Sequence, residues 1–155
     1  MIKRDFKEIW EEKRAVLSAN PEKCAVTVSA DSQLVEGFMS RVKARSFDIV
    51  VDQNKGMGGT DQGPRPSEYV LAALAACHEV TYRLYADALG ISLDEVSVSV
   101  TGHSDARGFF GLDDSVRAGF SSILLTQDSV MMSWSLPLDE SKKCQLISKP
   151  FAASW

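Results

Sequence analysis

Three cysteines are the side chains of this sequence best suited to chemistry, and they lie far apart at Cys24, Cys77 and Cys144. A thiolate is a strong nucleophile, whereas a buried structural cysteine usually behaves as a small inert hydrophobe. An odd number of cysteines at wide spacing does not form a secreted disulfide framework and favours the cytoplasm, where thiols stay reduced. A functional cysteine in that compartment is usually catalytic or redox-active. Cys24 opens an alternating run and is interpreted as a packing residue.

Cys77 stands where the character of the chain changes. The residues from Tyr69 to Ala76 are apolar, and the stretch after the cysteine carries His78, Glu79 and Arg83. A thiol at such an edge can be reached from a pocket, and a nearby cation can activate it by stabilising the thiolate. The residues alone leave a structural role for Cys77 open as the alternative.

Metal and phosphate chemistry find little support in the sequence. His78 and His103 are the only histidines, and neither has a partner at metal-ligand spacing. The glycine-rich stretch Gln53 to Pro66 is not followed by the Gly-Lys-Ser/Thr of a phosphate loop, and Pro64 and Pro66 lack the amide donors that a phosphate cradle needs. We therefore expect no metal ion and no cofactor.

The bulk composition limits the partners of this protein. The 155 residues are 45% apolar and 25% charged, which is typical of one soluble globular domain, 1–155. The net charge of -4 argues against nucleic acid and anionic membranes as the main partner. The longest apolar run, Tyr69 to Cys77, is far shorter than the roughly 20 residues of a membrane span, and no signal peptide is apparent. We therefore expect a cytoplasmic protein.

The elements that position the cysteines follow from hydrophobic periodicity and turn residues. Apolar residues at helical spacing predict an N-terminal helix over about 4–17, and a second helix is predicted over about 66–89. The predicted strands are Cys24 to Ala30, Gly37 to Lys43, Phe47 to Asp52, Val96 to Val100, Phe120 to Thr126 and Val130 to Leu136, with Gln53 to Pro66 and Gly102 to Asp114 as loops and a short helix at Leu138 to Ile147. This order predicts an α+β fold.

The helix that carries Cys77 is the central element of this prediction. Pro66 suits its first turn, and Gly90 supplies a left-handed stop at its end. Its first half is apolar on all sides, so it must be covered on every side, and we expect it to be buried.

The run GGTDQGPRPSEYVLAALAAC, from Gly58 to Cys77, resembles the signature of the OsmC/Ohr family. In that family a glycine-proline loop leads into a central helix with the reactive cysteine. The resemblance continues through VTYRLYA after Glu79, LDEVSV after Ser92 and RGFFGLD after Ala106. It extends over roughly Phe47 to Phe120, close to half of the chain.

The resemblance implies curved antiparallel sheets around a long central helix in an intertwined homodimer. It also implies a thiol peroxidase for organic hydroperoxides, used in oxidative-stress defence. Its attacking cysteine forms a sulfenic acid, a second cysteine condenses with it, and a dithiol reductant, of the lipoyl type or similar, opens the disulfide. By position, Cys77 matches the attacking thiol and Cys144 the resolving thiol. The proline-valine pair that usually follows the second cysteine is missing here, so a one-cysteine cycle stays open.

The family also holds the thiolate with an arginine that a glutamate orients. Arg41 is the preferred candidate over Arg45, although each could be an edge-strand charge. Glu68 resembles the orienting acid, but it lies nine positions before Cys77, which places it on the opposite side of a regular helix. Its alternative role is to stabilise the helix dipole from the first turn.

Two other functions compete with the peroxidase. One is an OsmC-like binding protein for a small apolar ligand, with no peroxidase cycle, which the irregular C-terminal third of the sequence favours. Phe109, Phe110 and Trp134 are candidates to line an apolar pocket suited to a lipid-like peroxide, with ordinary core roles as their alternative. The other is a dimer that has lost the chemistry of the family.

Overall fold

The computed structural model describes residues 6–133, with side chains up to residue 126. These residues form three helices and five strands, and the predicted α+β fold with antiparallel sheets and a long helix is confirmed. The elements are α1 (Phe6–Ala19), β1 (Asp31–Glu36), β2 (Met39–Ala44), β3 (Phe47–Val51), α2 (Pro66–Leu89), β4 (Ser92–Ser104), α3 (Ala106–Phe109) and β5 (Phe120–Ser133), with short 3-10 turns at Pro21–Lys23 and Lys55–Met57.

The chain divides into two compact units, and the boundary falls within α2. The sheet unit is Asn20–Ala73, and the helix unit joins Met1–Ala19 to Leu74–Trp155. The expectation of a single domain over residues 1–155 stays a prediction.

The sheet unit is built on the antiparallel meander β1-β2-β3. Its turns are tight, and both contain a residue with positive φ, Gly37 (51°) and Arg45 (56°). Lys43 on β2 lies opposite Asp31 of β1 and Asp48 of β3, so opposite charges face each other across both strand pairs. Such cross-strand pairs favour one register over its one-residue slips.

The predicted strand Cys24 to Ala30 is wrong for the described part of the chain. This stretch has no regular secondary structure beyond the turn before it, and β1 begins only at Asp31. Val26 and Val28 are 81% and 89% exposed. Alternation alone does not make a strand, because a strand also needs a neighbour to accept its hydrogen bonds and to cover its apolar face. Within residues 6–133 this segment has no such neighbour.

The helix unit has a long antiparallel ribbon and a small core. β4 and β5 pair from Ser92 opposite Ser133 to Ser104 opposite Phe120, so β5 extends the predicted strand by seven residues. The core lies where α2 ends and β4 begins, and it consists of Ala86, Ile91 and Leu93 with Tyr82, Leu89 and Val96 packed against them. From α1, Trp10 places its ring edge-on to Tyr85 of α2, with 5.7 Å between the ring centres.

The expectation that α2 is buried on every side is wrong for the single chain. Its bounds agree with the prediction, but Ala86 is its only buried residue. Val70 and Val80 are 55% and 57% exposed. The reason is that α1 and the start of β4 cover only the last turns of the helix. No helix within residues 6–133 is long and apolar enough to cross a bilayer.

Two C-terminal predictions fall partly or wholly outside the described residues. The first four residues of the predicted strand Val130 to Leu136 are the end of β5. The rest of that strand and the predicted helix Leu138 to Ile147 lie beyond Ser133, as do Trp134 and Cys144. The connection Gly102 to Asp114 contains the end of β4 and the single turn α3.

Candidate functional site

Cys77 lies in the middle of α2 with an exposed side chain, and it forms no disulfide within the described residues. Its backbone carbonyl accepts a hydrogen bond from the Thr81 hydroxyl at 2.7 Å, which ties one turn of the helix together. His78, beside it, turns its ring toward Tyr82, at 6.3 Å between ring centres. A reagent in solution can therefore reach the thiol directly in the single chain, without entering a closed pocket.

Arg83, which the sequence suggested as a cation near Cys77, forms its ion pair with another residue. Arg83 makes an ion pair with Asp87, one turn further along α2, at 3.0 Å. Its terminal nitrogen Nη1 donates to the Leu93 carbonyl on β4 at 3.2 Å. Arg83 thus joins α2 to the beginning of β4.

The glycine loop after β3 is organised by Asp52, a residue that sequence analysis missed. Asp52 is fully buried, with 0% exposure. One carboxylate oxygen accepts from the amide of Gln53 at 2.7 Å. The other accepts from the amide of Thr60 at 3.0 Å, the Thr60 hydroxyl at 2.6 Å and the amide of Gln62 at 3.3 Å. These bonds, first of all the one from the Thr60 hydroxyl, lower the pKa of the Asp52 carboxyl against the opposing effect of its burial.

The shape of this loop requires its glycines. Gly58 has φ 84°, and a Cβ on Gly59 would overlap the Gln53 carbonyl. A Cβ on Gly63 would lie 2.5 Å from the Val50 carbonyl oxygen. The loop therefore folds back onto the end of β3 with no room for side chains at these points. The aspartate at a strand end, followed by a glycine-rich run with a threonine, was the sequence signal that could have identified Asp52.

Glu68 holds Arg65 at the beginning of α2. One Glu68 oxygen accepts from Nε of Arg65 at 2.9 Å and from its terminal nitrogen at 2.6 Å, and the other accepts from the Arg65 amide at 2.9 Å. The hydrogen bond from the Arg65 amide is half of a capping box, in which the side chain of the third helical residue accepts from the amide of the residue before the helix. The Arg65 guanidinium lowers the pKa of the Glu68 carboxyl, and the carboxylate in turn raises the pKa of Arg65.

The arginine beside Glu68 is therefore neither of the two that the sequence suggested. Arg41 is exposed on β2, with Gln33 and Val50 opposite it in the neighbouring strands, and within the described chain its guanidinium forms no ion pair with Glu68. Arg45 lies in the β2–β3 turn, with its guanidinium 5.1 Å from the centre of the Phe47 ring.

A second ionic cluster braces the connection between β4 and β5. Arg107 bonds Asp105 at 2.6 Å and Asp113 at 3.4 Å. The hydrogen bonds from Arg107 lower the pKa of Asp105. Phe109 at the end of α3 and Phe110 just after it meet edge-on at 5.2 Å, and both rings are exposed. Among the described residues no group of three His, Cys, Asp or Glu side chains is placed to hold a metal ion.

Comparisons with known proteins agree with this fold. A family model described as OsmC-like protein matches residues 59–130. An OsmC-like protein from Mycoplasma pneumoniae superposes with a TM-score of 0.61 at 23% identity, over 79% of each chain. An OsmC-like protein of unknown function from Vibrio cholerae gives 0.61 at 11% identity, over 79% of this chain and 85% of that one. An organic hydroperoxide resistance protein OsmC from Legionella pneumophila gives 0.50 at 18% identity, over 81% of this chain and 82% of that one.

A search of curated proteins finds no match. At these identities the solved structures show the fold, and the family model adds that residues 59–130 are OsmC-like. The resemblance to the OsmC/Ohr family that begins at Gly58 is thereby confirmed, and the matched segment contains Cys77.

Proposed function

We propose that this protein is a cytoplasmic thiol peroxidase that reduces organic hydroperoxides in oxidative-stress defence, with Cys77 as the attacking residue. The observation that carries the proposal is an exposed thiol at Cys77, in the middle of α2 and inside the segment that matches the OsmC-like family. The family supports a redox or stress-defence role, and one structural neighbour bears the name of an organic hydroperoxide resistance protein. An accessible thiol is the first requirement of such chemistry.

The proposed cycle uses this thiol as the reductant of the O–O bond. The Cys77 thiolate attacks one peroxide oxygen, the O–O bond breaks, and the leaving alkoxide takes a proton to become an alcohol. The cysteine is left as a sulfenic acid. The Cys144 thiol then condenses with it to a disulfide and releases water. A lipoyl-type dithiol opens this disulfide by exchange, which restores both cysteines and leaves the reductant oxidised.

Arginine and glutamate side chains complete the proposed site. Arg41 is the proposed partner of the thiolate, and its exposed guanidinium leaves it available for that role. Glu68 is the proposed orienting acid, although in the described chain its carboxylate is committed to Arg65. Arg65 is therefore a second candidate for the arginine of the site, and Arg41→Lys and Arg65→Lys distinguish the two. The variant that loses turnover while its cysteines stay reduced identifies the functional arginine.

We also propose a homodimer. The apolar surface of α2 around Val70 and Val80 is exposed in the single chain, as are Val26 and Val28 ahead of β1. Several large apolar side chains are thus left uncovered in the single chain, and covering them would stabilise the protein. A second copy of the chain is the occupant that the resemblance supports.

Turnover by the reduced protein tests the enzyme. Cumene hydroperoxide and hydrogen peroxide are supplied with dithiothreitol or with a dihydrolipoyl dithiol, to the wild type and to Cys77→Ser, Cys144→Ser and Cys24→Ser. We expect the organic peroxide to be consumed faster, activity to vanish in Cys77→Ser, and activity to fall or to change its reductant dependence in Cys144→Ser. Cys24→Ser is the control and should retain activity. A folded, reduced wild type that turns over neither peroxide with either dithiol would refute the proposal.

A binding protein for a small apolar ligand is the second candidate. Its supporting observation is the exposed Phe109–Phe110 pair, held on a loop that Arg107 braces by ion pairs. This function predicts that a fluorescent fatty acid binds equally well to the wild type and to Cys77→Ser, and that Phe109→Ala weakens the binding.

A further inference from the structure

Asp52 closes the glycine loop through both its side chain and its backbone. Its carboxylate accepts from Gln53, Thr60 and Gln62, and all of these donors belong to the loop. Its own amide donates to the Pro64 carbonyl at 3.2 Å. The residues on either side of the loop are thus fixed to a single position at the end of β3.

The nature of the donors makes the carboxylate hard to replace. Three are backbone amides and the fourth is the Thr60 hydroxyl, so the pocket around Asp52 needs a group that only accepts. An ionised carboxylate meets this need at both oxygens. An asparagine would present an NH2 group to the donors at one of these positions and would leave at least one of these part-buried amides without an acceptor.

The loop leads directly to the Arg65–Glu68 pair. Glu68 is fixed by the helix, whereas Arg65 precedes the helix, and its backbone is set by the loop and by the flanking prolines Pro64 and Pro66. The two side chains of the pair are 43% and 47% exposed. Exposed pairs of this kind gain little unless their geometry is fixed, because two long side chains must be held in place. The two bonds from the Arg65 guanidinium to one Glu68 oxygen, at 2.9 and 2.6 Å, therefore depend on a fixed position for Arg65.

We propose that Asp52 is a positioning residue for the Arg65–Glu68 pair. Its carboxylate holds the glycine loop, and the loop sets Arg65 against Glu68. The inference deepens the proposed function, in which Glu68 is a site residue, and rests on that function only for its relevance to turnover.

The test compares Asp52→Asn with Asp48→Asn. Asp48 lies on β3, four residues before Asp52, and is exposed, and its substitution removes the same charge. The side-chain carboxyl of Glu68 is titrated by carbon-13 NMR, and amide hydrogen exchange is measured at Thr60 and Gln62. In Asp52→Asn we expect the pKa of Glu68 to rise toward its ordinary value and exchange at both amides to accelerate by roughly tenfold or more, as the loss of bonds to a charged acceptor implies. Asp48→Asn should change neither.

Thr60 provides a second pair of variants should Asp52→Asn fail to fold. Thr60→Val removes the hydroxyl donor and keeps the shape, so it should raise the pKa of Glu68 in the same direction by a smaller amount. Thr60→Ser keeps the hydroxyl and should restore the wild-type value. An unchanged Glu68 titration in a folded Asp52→Asn or Thr60→Val variant would overturn the inference. Neither readout uses peroxide, so an inactive wild type would refute the proposed function and leave this test intact.

Discussion

Glu68, at the start of α2, makes a pH-dependent contribution to the stability of the single chain. The Arg65 guanidinium lowers the pKa of this carboxyl below its ordinary value of 4.5. A group whose pKa folding lowers contributes stability above its unfolded-state pKa, and the contribution disappears as the pH falls through the folded-state pKa. Glu68→Gln should therefore cost less than about 1 kcal/mol near neutral pH, because the pair is exposed. Urea unfolding of both proteins should give a difference that shrinks below pH 4.5, and a constant difference would contradict the ion pair.

Gly63 makes a steric prediction that involves no charge. In Gly63→Ala the new methyl group would meet the Val50 carbonyl oxygen at 2.5 Å, so the loop must move away from β3. We expect a loss of about 1–3 kcal/mol in the free energy of unfolding. Gly56→Ala is the matched control, since its nearest neighbour would be the Asn54 side-chain oxygen at 3.6 Å. Equal stability of the two variants in denaturant titrations would show that the loop does not pack as described.

At the level of the elements, success and failure of the sequence prediction have a common physical reason. The bounds of α2 were predictable because Pro66 and Gly90 are local stops that need no partner. The predicted strand at Val26 and Val28 failed because a strand depends on a neighbour elsewhere in the chain or in another chain. Asp52 was missed for a related reason: three of its four donors, on Thr60 and Gln62, reach it only after the loop has folded back.

The junction of α2 with β4 carries most of the core in the helix unit, so its stability depends on few side chains. Ile91 is 4% exposed and packs with Ala86 and Leu93. Ile91→Ala should lower the free energy of unfolding by about 2–5 kcal/mol, because it removes buried methyl groups and leaves a cavity. The exposed Leu112 is the control, and Leu112→Ala should change the stability by less than about 0.5 kcal/mol. If thermal unfolding showed similar losses of stability in the two variants, the core would have to lie elsewhere.

At the scale of the whole molecule, the described chain leaves much of its apolar surface in water. Buried apolar residues within it are few: Val51, Ala86, Ile91, Leu93 and Val98. A chain of this length normally buries about two-thirds of the surface of its unfolded state. The exposed valines of α2 are thus the natural place for the missing cover, and the proposed dimer supplies it from a second copy.

Val80 allows a direct test of that dimer. Its side chain is 57% exposed in the single chain, so Val80→Lys should leave the chain folded while placing a charge in the proposed interface. Burying an unpaired charge costs several kcal/mol, and about 3 kcal/mol is roughly a hundredfold in the Kd of the dimer. Light scattering after size exclusion should then give a dimer for the wild type and a monomer for Val80→Lys at micromolar concentration. Glu11→Lys, on the exposed face of α1, is the control and should stay dimeric. A wild type that is monomeric at this concentration would refute the dimer, and a dimeric Val80→Lys would move the interface away from this face of α2.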